Sequence, residues 1–257
     1  MPERTGILIV GHGTRDARGV AEFVAAAEMA SELLPDYAVE HAFLELAEPT
    51  IKYAVERLAR AGIKETVIAP MLLFAAGHAK QDIPRLVAEA TRDLAMSFCQ
   101  AEPLGCHAKM VAASAERFCQ VTNGLSADEL RRTLLILVGR GNSDPLAVAD
   151  MHRFAGLRAA RAGVGGVEVA FMAVAKPGIR DAVAAAARRS FDRVVVQPHL
   201  LFRGQVLDSL HDIVDSARAD CREKRTEWLV ADHLGPSRFV AEALTEQCLE
   251  AVKREGF

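Results

Sequence analysis

Three sequence segments recur in this chain at one fixed distance, and that repetition restricts the fold more than any other feature. Gly-His-Gly-Thr-Arg-Asp at 11–16 returns as Gly-Arg-Gly-Asn-Ser-Asp at 139–144. The segment 42–51 (AFLELAEPTI) returns at 170–179 as AFMAVAKPGI, and 69–78 (APMLLFAAGH) returns at 197–206 as QPHLLFRGQV. The offset is 128 each time (139 − 11, 170 − 42, 197 − 69). A scaffold was therefore duplicated with its internal spacing held. Packing residues survive in both copies, whereas His12, Glu45 and His78 are answered by Arg140, Ala173 and Val206. One chemical site kept in one half of a doubled scaffold leaves this signature.

A chain of 257 residues suits two domains of ordinary size, each able to bury its own core. The repeat sets the expected division at 1–124 and 125–257, with the Asn-Gly-containing stretch Asn123–Asp128 as the join. Net charge is −3, so no overall basic field argues for nucleic acid. Apolar runs are strand-length and broken by Gly, Pro or charge, which argues against a membrane span. The first residues, Met-Pro-Glu-Arg-Thr, lack the features of a secretory signal. Five cysteines form no C-x-x-C pair, which fits a reducing compartment and offers no iron–sulfur ligand set. A soluble cytoplasmic protein is expected.

Apolar runs alternate with amphipathic segments, the pattern of β-α units around a mainly parallel sheet. Strands are expected over Thr5–Val10, Ala38–Glu45 and Glu65–Leu73, and again over Thr133–Val138, Val167–Val174, Arg193–Val196 and Trp228–Val230. The expected architecture is two doubly wound α/β lobes with mainly parallel sheets, related by internal duplication. In such folds ligands sit beyond the carboxyl ends of the strands. His12 follows the first strand, Glu45 ends the second and His78 comes just after the third, so the three would converge on one sheet edge.

Glycines on both sides of His12 free its backbone and leave the imidazole uncrowded. His78 follows Gly77 in a loop of small residues. Glu45 interrupts an apolar run, where burial would favour the protonated acid and a metal would favour the carboxylate. Two imidazoles and a carboxylate suit a divalent transition ion such as Co²⁺, Fe²⁺, Ni²⁺ or Zn²⁺, and three protein ligands leave positions open. A set without thiolate suits an ion that must leave. Arg15, Arg18, Lys80, Arg140 and Arg203 gather near the same expected edge, and Arg140 stands where His12 stands in the first copy. An arginine so placed could clamp a carboxylate with two parallel hydrogen bonds. His199, at the place of Met71, is a weaker candidate for lining the cleft. No G-x-x-x-x-G-K-[ST] loop is present to support nucleotide hydrolysis.

Taken together, GHGTRD, FLELAEPTI and PMLLFAAGHAKQDIP resemble the class II chelatases of the sirohydrochlorin type, and the two-lobed form of that family extends the likeness over nearly the whole chain. The resemblance implies insertion of a divalent metal, Co²⁺ favoured and Fe²⁺ next, into sirohydrochlorin in cobalamin or siroheme synthesis, without a nucleotide. It implies His12 and His78 as metal handlers with Glu45 assisting, one of these groups accepting pyrrole protons. Arg140, Lys80, Arg15 and Arg203 would then grip carboxylates of the macrocycle. The partners implied are a tetrapyrrole and a metal ion that is substrate, not permanent cofactor, and a monomer is expected because one chain carries both lobes. A carrier that binds without turnover would need the same ligands. A metal-dependent hydrolase lacks any further acid or oxyanion motif in the sequence.

Overall fold

The computed structural model describes residues 5–74, 81–220 and 226–257. The first copy lays down β1 (Gly6–Gly11), α1 (Ala17–Glu32), β2 (Ala38–Phe43), α2 (Ile51–Arg60), β3 (Glu65–Pro70), α3 (Ile83–Ala90), β4 (Ser97–Gln100) and α4 (Ala108–Thr122). A short α5 (Ala127–Arg131) leads into the second copy: β5 (Thr133–Gly139), α6 (Pro145–Ala162), β6 (Gly166–Phe171), α7 (Ile179–Ala186), β7 (Arg193–Pro198), α8 (Gln205–Asp220), β8 (Glu227–Val230) and α9 (Arg238–Glu255). The strands form two four-stranded sheets, ordered β2-β1-β3-β4 and β6-β5-β7-β8. All pairings are parallel. The α/β expectation is met, and it follows from the runs GILIVG and TLLILVG, in which every residue is buried. Continuous burial on both faces is what a central parallel strand requires.

Helices cover each sheet through residues at helical spacing. Ile51, Val55 and Leu58 of α2 pack on Leu8 and Val10 of β1. Ile179 and Val183 of α7 pack likewise on Ile136 and Val138 of β5. Local stop and start signals agree with this packing. Asp16 caps α1 by accepting a hydrogen bond from the Arg18 amide, and Asp144 caps α6 from the Leu146 amide at the matching place. At the join, Ser126 and Glu129 form a reciprocal capping box for α5.

The compact units do not follow the repeat boundary expected at 124/125. One comprises residues 1–110 with 235–257, and the other 111–234. The last helix of each repeat explains the difference. Helix α9 contacts α1 and β3 of the first unit. Most of α4 belongs to the second, where the Ser114 carbonyl accepts a hydrogen bond from Gln197 Nε2 of β7 at 2.7 Å. Sequence similarity marks where the duplication occurred, and burial decides which sheet each closing helix covers.

His199 follows β7 and is buried, 2% exposed, with its ring centroid 4.1 Å from that of Phe154. It is a core residue of the second unit, as Met71 is of the first, so the expectation that it lines a cleft is corrected. Burial pushes its pKa down from the ordinary value to about 3. The unfolded chain therefore takes up a proton between about pH 6.5 and 3 that the folded chain refuses, and stability falls as pH drops through that window. His199→Met should remove this component. Urea titrations at pH 7 and pH 5 should show the variant gaining about 2 kcal/mol on wild type at the lower pH.

Candidate metal-handling edge

Parallel pairing of β1 and β2 continues past the ends of both strands and sets the site. The Leu44 amide donates to the Gly11 carbonyl at 2.9 Å, and the Glu45 amide donates to the His12 carbonyl at 3.2 Å. Strand β2 ends at Phe43, so Glu45 lies in the following loop and not at the strand end as expected. Gly13 then turns with φ +93°, and a Cβ there would overlap the Glu45 carbonyl oxygen. Only glycine permits that approach. The glycine read from the sequence as freedom around His12 is therefore a contact point between two loops.

Leu46 follows with φ +64° and half of its surface exposed. A branched side chain in the left-handed region is strained, and such strain gathers at functional loops. The chain then returns to β2, where the Phe43 amide donates to the Pro49 carbonyl at 2.9 Å. Glu48 precedes the Thr50 cap and accepts from the Thr50 amide at 2.9 Å.

This backbone brings His12 Nε2 to 3.6 Å from Glu45 Oε1. The imidazole is 27% exposed and the carboxylate 54% exposed, so of the two cases open for Glu45, burial does not apply. Two donors about 2.1 Å from one ion at a tetrahedral angle would stand about 3.4 Å apart, so the pair needs only a small adjustment to share an ion. Among the described residues no group of three or more His, Cys, Asp or Glu completes a metal set. His78 and Lys80 lie outside the described residues. Arg15 is exposed in the loop after β1, whereas Arg18 is engaged by Asp16, with Nη2–Oδ2 at 2.7 Å. That guanidinium holds the Asp16 carboxyl below its usual range.

The second unit repeats the loop chemistry without the ionisable pair. The Ala173 amide donates to the Arg140 carbonyl at 3.0 Å, Gly141 has φ +93°, and its Cβ would overlap the Ala173 carbonyl oxygen. Val174, at the place of Leu46, has φ +62° and is 72% exposed. Arg140 and Arg203 are both exposed in the loops after β5 and β7. Reading the sequence missed Leu46 and Val174, although their shared place 128 residues apart was available as a signal. Two other histidines serve packing or surface pairing. His41 stacks edge-on against Phe23 at 6.0 Å, with its pKa lowered by burial, and His107 pairs with Glu246 at 3.3 Å.

Duplicated parallel sheets with flanking helices are the α/β chelatase class of fold, which the family match and the solved structures show. The chain belongs to the CbiX family, whose model matches residues 6–121 and again 134–251. It is 30% identical to the sirohydrochlorin ferrochelatase of Priestia megaterium over 251 residues, covering 97% of this chain and 91% of the relative. It is 28% identical to the sirohydrochlorin cobaltochelatase of the same organism, covering 97% and 80%. Among solved structures it resembles SirB from Bacillus subtilis with Fe³⁺, with a TM-score of 0.88, 26% identity and 98% of each chain covered. The SirB structure in complex with cobalt, from Bacillus subtilis subspecies spizizenii, matches with a TM-score of 0.83 and 26% identity, covering 98% of this chain and 97% of that one.

The interlock yields a paired prediction. Gly13→Ala and Gly141→Ala should each cost at least about 1–3 kcal/mol in urea denaturation, because both impose the same strain. Only Gly13→Ala should shift the His12 ring resonances in a histidine-detected NMR spectrum. Equal shifts from both variants would mean that the loop contact does not position His12.

Proposed function

We propose that this chain inserts a divalent metal ion, Co²⁺ before Fe²⁺, into sirohydrochlorin without consuming a nucleotide. One observation carries the reading. The His12–Glu45 pair survives in one copy of a loop whose other copy keeps the same backbone with Arg140 and Ala173 in their places. A scaffold preserved twice and ionisable once is what a single metal-transferring edge requires. Relatives named as sirohydrochlorin ferrochelatase and cobaltochelatase, aligned over most of this chain, supply the substrate class.

In this mechanism His12 and Glu45 bind the incoming ion, with His78 as the third donor. Partly exposed nitrogen and oxygen ligands without a thiolate hold an ion weakly enough to surrender it. Insertion replaces two pyrrole N–H protons by the metal, so a base must take them. An imidazole freed of its ion suits that task near neutral pH, with Glu45 as the neighbouring acceptor. The open side of Glu45 permits exchange of those protons with solvent. Arg140, Arg15, Arg203 and Lys80 are assigned to the carboxylates of the macrocycle, because a planar guanidinium meets a carboxylate through two charge-assisted hydrogen bonds. No described helix is long and apolar enough to cross a membrane. The reading places the reaction in the cytoplasm, with a monomer as the working unit.

An anaerobic absorbance assay with sirohydrochlorin and Co²⁺, Fe²⁺ or Ni²⁺, each against a no-enzyme control, tests the proposal. Many turnovers per protein are expected, fastest with Co²⁺. His12→Ala should lower turnover at least about a hundredfold while leaving the urea midpoint unchanged, since a part-exposed side chain contributes little to packing. Conversion that halts at one equivalent would overturn catalysis in favour of a carrier, and near-normal turnover in His12→Ala would overturn the site.

A further inference from the structure

The second unit contains a cavity of about 350 Å³, lined mainly by α4, α6 and the chain between α4 and α5. Its apolar walls include Phe118, Leu125 and Leu130, and its basic groups are Arg158 and Arg161. No Asp or Glu lines it. Arg158, only 1% exposed, donates from Nε to Ser114 Oγ at 2.9 Å. Its Nη1 and Nη2 are buried and meet no hydrogen-bond acceptor among the described residues. The guanidinium lies 5.7 Å from the centroid of the Phe118 ring, so Phe118 both walls the cavity and covers the cation.

Buried guanidinium groups are ordinarily paired, because an uncompensated charge away from water is costly. Here burial lowers the Arg158 pKa, and the titratable groups acting on it among the described residues are the Cys119 thiol and a second cation, Arg161. Arg161 is exposed and forms no ion pair among the described residues. Two cations thus adjoin an apolar cavity that contributes no countercharge. An acceptor with two oxygens in one plane would satisfy both Nη groups at once. An occupant that reaches those buried nitrogens would have to displace the Phe118 ring.

From this arrangement we infer that the cavity binds an organic oxyanion, a carboxylate or phosphate group carried on an apolar body. The oxygens meet Arg158 and Arg161, and the body lies against Phe118, Leu125 and Leu130. The site uses no residue assigned to metal insertion, so it stands or falls independently of the proposed chelatase activity.

Cys119, exposed at the cavity wall, provides a reporter. Alkylation of Cys119 by N-ethylmaleimide, located by mass spectrometry, is followed in the full chain with hexanoate, hexyl phosphate, inorganic phosphate, or chloride at equal ionic strength. Saturable protection by hexanoate or hexyl phosphate is expected, and whichever protects at lower concentration identifies the head group. Arg161→Gln should weaken protection roughly tenfold, the loss of one charge-assisted hydrogen bond. Arg158→Met should abolish it, with a thermal melt to establish folding. Ala115→Leu, which fills the cavity without altering either arginine, should also abolish it. Protection no greater than with chloride, or equal protection in wild type and Ala115→Leu, would overturn the inference. So would inorganic phosphate matching hexyl phosphate, because the apolar walls would then play no part.

Discussion

The close approach of Gly13 to the Glu45 carbonyl is the constraint on which the candidate site depends. Two loops leave adjacent parallel strands, and two further amide–carbonyl hydrogen bonds extend their pairing beyond the sheet. Glycine with positive φ then lets the loops meet without an intervening side chain. Rigid backbone thereby fixes where His12 and Glu45 begin, leaving only their side-chain torsions free. Under the proposed function, a pair set by backbone contact can release an ion and recover its geometry without refolding a loop.

Conservation of this device in both copies, with chemistry in one, separates what the fold needs from what the reaction needs. Gly141 meets Ala173 as Gly13 meets Glu45, and Val174 repeats the strained backbone of Leu46. No fold requirement demands that the second copy carry Arg140 or lack a carboxylate. The exchange of His for Arg turns a group able to hold metal or proton into a permanent cation. Under the proposed function, that change fits a surface that grips anionic substituents and performs no ion transfer.

Much of the architecture was legible because parallel strands buried on both faces read as apolar runs, and because the 128-residue offset halves the problem. Strand starts agree closely with the expectation, whereas β2, β3 and β6 end before the expected residues and β1, β5 and β7 run one or two residues beyond them. Glu45 and Leu73 were placed in strands that end at Phe43 and Pro70, since apolar residues continue into the loops. Unit boundaries were not legible, because α4 and α9 are amphipathic in either setting and only packing decides which sheet each covers. For the site, the pairing of His12 with Glu45 followed from topology, whereas the exposure of Glu45 did not. Buried Arg158 was invisible for the opposite reason. An arginine among the polar residues of a long helix reads as solvated, and only the packing of α6 against α4 places it beside Ser114.

The central claim is that one edge of one copy holds the ion. Its most direct test is titration of the tetrapyrrole-free protein with Co²⁺, read from the visible absorption of the bound ion. The account predicts one equivalent bound, lost in His12→Ala and in Glu45→Ala, and unaffected by Arg140→Ala. Undiminished binding in both His12→Ala and Glu45→Ala would contradict it, because the metal would then reside elsewhere.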